Sequence, residues 1–220
     1  MLLPKDLRVL ITGFEPFGGS TLNPSQVVVE AISAAAIHAG DAVLHAALLP
    51  VDTRRIAVEL DALWTDHDPD IVLHFGESAK ADRITLERVA LNLLDFDTPD
   101  NAGQLLSDQP IDPQGPAARF ATLPVRALVD RLAKDQVLCE RSLSAGAYLC
   151  NQTLYLSLGH AQQRGGAMVG FVHVPPLPEQ VALGERKGPS MSRERLLDQI
   201  QRLITHAIDL YLDGQSDVGH

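Results

Sequence analysis

The sequence predicts an α/β fold: a sheet with helices on both faces. Two observations lead there. Apolar runs rich in β-branched residues alternate with segments of helical period, the pattern of strands connected through helices. The chain has 220 residues, enough to bury a sizeable core without disulfide or metal staples. No repeat, low-complexity segment or linker divides it, so residues 1–220 are expected to form a single domain.

The first strand is expected at Val9 to Thr12, ended by Gly13. Asn23-Pro24 then opens a helix, because Asn caps well and Pro suits the first helical position. Val29, Ile32 and Ala36 share its inner face, and Gly40 is expected to close it. A second strand runs from about Ala42 to Leu49. Asp52 or Thr53 caps a helix that turns Ile56, Leu60 and Leu63 inward. Asp68-Pro69-Asp70 makes a turn before a strand at Ile71 to Phe75. Ile84 to Leu93 reads as one longer strand of mixed polarity.

Asp95 to Leu123 carries Pro99, Pro110, Pro113 and Pro116 with little periodicity. It reads as a long loop, a kind of segment often tied to function. Pro124 opens a helix with Val125, Leu128 and Leu132 inward. A strand near Val137 to Leu143 leads to a sharp turn at Ala145-Gly146, and Cys150 to about Gln163 is expected to be helical. Met168 to Val174 is a strand stopped by Pro175-Pro176. Gly184 to Pro189 reads as a mobile stretch. The last helix spans Ser192 to about Leu212, with Leu196, Ile200, Leu203 and Ile208 inward.

Composition excludes several classes. The formal charge is −10 and the 18 basic residues form no run, so a nucleic-acid surface is not expected. No stretch approaches the length of a membrane span. The start MLLPKDLRVLITG lacks the pattern of an export signal. The two cysteines, Cys139 and Cys150, build neither a disulfide framework nor a metal motif. A cytoplasmic protein without a metal-ligand motif is expected.

Candidate chemistry gathers where α/β sheets hold ligands, at the carboxyl ends of strands. Cys150 opens a helix, where the dipole and unpaired N–H groups favour a thiolate and could hold an oxyanion; its plain alternative is a buried structural cysteine. His173 is the one ionisable residue in the apolar run GFVHVP and could serve a nucleophile as base, or be a hydrogen-bonded core histidine. His74, at another strand end, is a weaker rival. Glu87 could orient an imidazole, or sit on the surface beside Arg83 or Arg88. The loop Gly13-Phe14-Glu15-Pro16-Phe17-Gly18-Gly19 lies where a phosphate loop would, yet lacks G-x-G-x-x-G. Two Phe among glycines suit a small apolar pocket.

At these residues the chain resembles the pyroglutamyl peptidase I (pyrrolidone-carboxylate peptidase) family of cysteine peptidases. The motifs LITGFEPFGGSTLNPS, ITLERVALN, TPDNAG, SAGAYLCNQTLY and GFVHVP occur in that order. The resemblance implies a three-layer α/β/α fold around a mixed, mostly parallel sheet, and no cofactor. It implies a homo-oligomer, a tetramer, acting on pyroglutamyl peptides. Residue by residue it implies Cys150 as nucleophile, His173 as base and Glu87 as acid. It puts Phe14 and Phe17 against the lactam ring, with Tyr148 and Leu149 as the pocket wall. A related amide hydrolase with an altered pocket, or a non-catalytic small-molecule binding protein, are the competing readings.

The chain departs from the family pattern in two places. Glu77 to Arg83 replaces a Gly-Gly-Arg stretch, and Asp97-Thr98 stands where Arg-Ile is usual. An anion in place of a cation near a developing oxyanion is unfavourable, so reduced activity or altered preference beyond the scissile bond is expected.

Overall fold

The computed structural model describes residues 7–217. Its elements in chain order are β1 Arg8–Phe14, α1 Pro24–Ser33, β2 Val43–Leu49, α2 Thr53–His67, β3 Ile71–Glu77, β4 Ile84–Glu87 and β5 Val89–Leu91. They continue with β6 Ala118–Phe120, α3 Val125–Lys134, β7 Cys139–Ser142, α4 Leu149–Arg164, β8 Met168–Val174, α5 Pro178–Ala182 and α6 Arg193–Asp217. Six strands form the main sheet in the order β2-β1-β3-β8-β4-β7. All its pairings are parallel except β4 on β8. The fold is the mixed, mostly parallel α/β class expected.

Alternation within the strands builds two apolar layers, because successive side chains leave opposite faces. Val9, Ile11, Leu73 and Phe75 join the layer shared with α1, α3 and α6. Leu10, Val72, Val169 and Phe171 join the layer shared with α2 and α4. Strands buried on both faces read as unbroken apolar runs, which is why β1, β3 and β8 stood out. The expected helix caps form: Asn23 accepts from the Ser25 N–H and Asp52 from the Arg54 N–H.

Several expectations need correction. Helix α1 ends at Ser33, well before Gly40; Ala35 turns to a φ of 55° and Ala36 is exposed rather than inward. Ile37 folds back into the core instead, its N–H bonded to the Ala31 carbonyl. Ile84 to Leu93 is two strands, not one. Arg88 separates them, and β5 leaves the main sheet to pair antiparallel with β6. That pairing also gives the supposed loop Asp95 to Leu123 a strand of its own. The loop is further tied by the Leu94–Gln109 bridge and by Tyr155 Oη donating to the Pro116 carbonyl at 2.8 Å.

Candidate active site

Cys150 occupies the second position of α4, since Leu149 begins the helix and Tyr148 is its N-cap. Gly146 provides the preceding turn with a φ of 84°, where a side chain would be strained. No side chain caps α4, so its first-turn N–H groups stay open to an anionic group. Polar side chains just after the cysteine fix this helix end. Asn151 Oδ1 accepts from the Leu91 N–H, while Nδ2 donates to the Leu91 and Leu93 carbonyls. Gln152 exchanges hydrogen bonds with the Thr53 hydroxyl and carbonyl. These buried amides satisfy backbone groups at the end of β5 and the start of α2 that would otherwise be costly to bury.

The sheet brings the other two residues. In β8, His173 lies opposite Gly76 of β3 and Thr85 of β4. Glu87, two residues beyond Thr85, is its diagonal neighbour on one face, within reach for side chains. His173 Nδ1 and Glu87 Oε1 are 2.7 Å apart, and the carboxylate is 2% exposed. The second nitrogen is not engaged by Glu87, and Cys150 lines the same cleft as the ring. Burial opposes a charge on the imidazole. The neighbouring Cys150 and the hydrogen-bonded Glu87 outweigh it and raise the pKa to about 10. The arrangement therefore favours a protonated imidazole beside the cysteine, steadied by a carboxylate.

Close approach of the chain completes it. A Cβ on Gly76 would stand 3.0 Å from Cys150 Sγ and 2.8 Å from Phe171 Cζ, so the sulfur rests against bare backbone. Beside it runs a narrow slot lined by Phe14, Phe17, Tyr148 and Leu149, closed by Val51 and Glu77. Phe14 and Leu149 are buried; Phe17 and Tyr148 are half-buried and their rings lie 6.2 Å apart. The Tyr148 hydroxyl donates to the Pro99 carbonyl, and burial, with the charges of Asp100 and Cys150, pushes its pKa up to about 12. It stays a neutral phenol. The slot opens into a cleft of about 710 Å³ that holds Cys150, His173, Glu87 and the exposed Asp97. Two smaller clefts, of about 470 and 500 Å³, flank Phe120 and contain no histidine or cysteine.

All seven residues singled out in the sequence thus meet at one place. The rivals do not. His74 is buried between the Thr12 and Ser157 hydroxyls, each at 2.7 Å, and burial lowers its pKa to about 3. It is a neutral core histidine. Burial pushes the Cys139 thiol up, which disfavours its thiolate. Glu87 is no surface partner of Arg83, which pairs with Asp82.

Sequence reasoning named Glu77 only as the start of a stretch that departs from the family pattern, and missed Arg186. The Glu77 side chain is fully buried, ion-paired with Arg186 Nε, and accepts from Gln180 Nε2 at 2.9 Å. The stretch from Gly184, read as mobile, instead grips the slot loop. Its position at the carboxyl end of β3 was the available signal for Glu77; Arg186 had none.

A family model for pyroglutamyl peptidases matches residues 7–210. The pyrrolidone-carboxylate peptidase of Pyrococcus furiosus is 38% identical over 207 residues, covering 92% of this chain and 99% of that protein. That of Vibrio vulnificus is 38% identical over 212 residues, covering 96% and 98%. The crystal structure of the pyrrolidone carboxyl peptidase from P. furiosus superposes with a TM-score of 0.87 at 37% identity, covering 93% of this chain and 99% of that one. The chain belongs to the pyroglutamyl peptidase family.

Proposed function

We propose that this chain is a cysteine peptidase that removes an N-terminal pyroglutamyl residue from peptides, with Cys150, His173 and Glu87 as its catalytic residues. The observation that carries the reading is the Cys150–His173–Glu87 array, half-buried at the cysteine and histidine and buried at the glutamate, at the mouth of an aromatic slot.

The Cys150 thiolate attacks the pyroglutamyl carbonyl carbon, forming a C–S bond and an oxyanion. The open N–H groups at the start of α4 hold that oxyanion. As it collapses, the C–N bond breaks and His173 gives its proton to the leaving amine. Water then attacks the thioester while His173 takes its proton. The C–S bond then breaks, free pyroglutamate leaves, and Cys150 and His173 return to their starting protonation. Glu87 keeps Nδ1 engaged and steadies the charged ring.

The slot accounts for selectivity. A lactam carries no charged α-amine, so Phe14, Phe17, Tyr148 and Leu149 can enclose it. An ordinary glutamate N-terminus would bring an ammonium and a carboxylate into the slot without partners, a costly burial. No helix among the described residues is long and apolar enough to cross a membrane. A tetramer and a cytoplasmic location belong to the same proposal and rest on the resemblance and the sequence.

The test is hydrolysis of a pyroglutamyl fluorogenic amide, with Cys150→Ala as control. Cleavage by the wild type and none by the variant is expected. Cleavage that survives in the variant would move the nucleophile elsewhere; a folded wild type that leaves the amide intact would remove the proposed substrate class.

A further inference from the structure

The slot is held from behind by residues that take no part in the chemistry above. Arg186 follows the short helix α5 and is 109 residues from Glu77 in sequence. Its Nε pairs with Glu77 Oε1, and both side chains are nearly or fully buried. Its guanidinium lies 5.3 Å from the centroid of the Phe17 ring, and Nη2 reaches toward the Phe17 carbonyl at 3.4 Å. A cation over an aromatic face at this distance is attracted by the ring and limits its tilt. Arg186 thus touches two walls of the slot at once, the Phe17 ring and the end of β3 at Glu77.

The neighbours of Arg186 do the same for the loop that carries Phe17. Glu185 accepts from the Ser20 hydroxyl at 2.7 Å, from the Thr21 hydroxyl at 2.9 Å and from the Thr21 N–H at 3.1 Å. Gln180 Nε2 donates to Ser20 Oγ, to the Leu22 carbonyl and to Glu77 Oε2. The side-chain contacts that Gln180, Glu185 and Arg186 make outside their own segment end on Phe17, on Ser20 to Leu22 just after it, or on Glu77. A buried ion pair is weak evidence for stability, because desolvation offsets its attraction. Its clearer effect is to fix geometry, here that of Phe17 against Tyr148.

We propose that Arg186 is a positioning residue for recognition of the lactam ring: paired with Glu77, it clamps Phe17 over the slot that receives the ring. This rests on the proposed function, and acts on substrate binding rather than on the nucleophile. Its guanidinium matters for its flat face as well as its charge.

The test uses Arg186→Lys, Arg186→Ala and the double variant Glu77→Gln/Arg186→Ala in the full chain. The double variant leaves no unpaired buried charge, so it keeps the question open to test where Arg186→Ala alone fails to fold. Two quantities are read: KM and kcat for a pyroglutamyl amide, and the rate at which iodoacetamide alkylates Cys150 at neutral pH, followed by mass spectrometry. In Arg186→Ala and in the double variant, KM is expected to rise about tenfold with kcat nearly unchanged, the signature of lost binding. Arg186→Lys recovers part of that loss. Alkylation of Cys150 stays at the wild-type rate in all three. A folded double variant with wild-type KM overturns the proposal, as does a fall in kcat and alkylation with KM unmoved. A wild type that cleaves no pyroglutamyl amide fails the proposed function instead, which the first measurement on unmutated protein separates from the clamp.

Discussion

Glu87 Oε1 lies 2.7 Å from His173 Nδ1, and the contact is set by the antiparallel register of β4 on β8. Thr85 stands opposite His173 and Glu87 opposite Phe171, so carboxylate and imidazole are diagonal neighbours on one sheet face. The other carboxylate oxygen is buried without a hydrogen bond to any described residue. Glu87 is therefore committed to His173. Glu87→Gln keeps the shape but loses the charge that supports an imidazolium. We expect kcat to fall about a hundredfold, less than the complete loss expected for Cys150→Ala. Steady-state kinetics on a pyroglutamyl amide checks this, and an unchanged kcat would strip Glu87 of its role.

The same contacts make stability depend on pH. The His173 pKa is raised from 6.5 to about 10 in the fold, where burial is outweighed by Cys150 and Glu87. A group whose pKa is raised on folding binds its proton more tightly when folded. Its contribution is thus complete below about pH 6.5 and is lost as the pH rises through about 10. Melting temperatures measured across that window should fall more steeply for the wild type than for His173→Gln. Parallel curves would mean that the folded imidazole has no raised pKa.

The two cysteines should differ sharply. Cys150 stands at an uncapped helix start in the cleft of His173, whose pKa is raised, whereas burial pushes the Cys139 thiol up. Iodoacetamide at neutral pH should modify Cys150 at least about tenfold faster. His173→Ala should erase most of the difference. Peptide mapping after timed quenching reads both sites in one sample, and equal rates in the wild type would contradict a thiolate at Cys150.

Much of this site was legible because its residues break local patterns. His173 interrupts an apolar strand whose end is fixed by Pro175-Pro176, and β8 spans Met168–Val174 as expected. Cys150 follows a Gly turn and precedes a helical period. Glu87 was less legible: Arg83 and Arg88 offered nearby partners, and only the register of β4 on β8 shows that the carboxylate turns to His173. The break between β4 and β5 escaped notice because Arg88 looks like one more polar residue in an alternating strand. The Glu77–Arg186 pair was invisible for a related reason. Its partners meet through tertiary packing across 109 residues, and no local pattern links the two.

Asp97 gives a test of the departure from the family pattern. It is exposed on the wall of the cleft that holds Cys150, so solvent screens its charge. Asp97→Arg should raise kcat/KM for an uncharged leaving group only about two- to threefold at low salt, and the gain should shrink as salt is added. Equal kcat/KM at every salt concentration would remove Asp97 from any influence on the reaction.

Gly76→Ala offers the most severe test of the sulfur's position. The glycine is needed here for space: the added methyl would sit 3.0 Å from Cys150 Sγ and 2.8 Å from Phe171 Cζ. Both distances are shorter than relaxed contacts of about 3.5–4.0 Å. Phe171 is fully buried and cannot swing away, so the sulfur or the strand must move. A displacement of the sulfur by a few tenths of an ångström spoils its line to both His173 and the substrate carbonyl, and such misplacement is costly in rate. We expect kcat/KM to fall by about a hundredfold or more, while overpacking costs about 1–3 kcal/mol of stability. Kinetics paired with denaturant unfolding separates the two effects. A variant that keeps wild-type kcat/KM would show that Cys150 Sγ reacts from somewhere other than the position against Gly76.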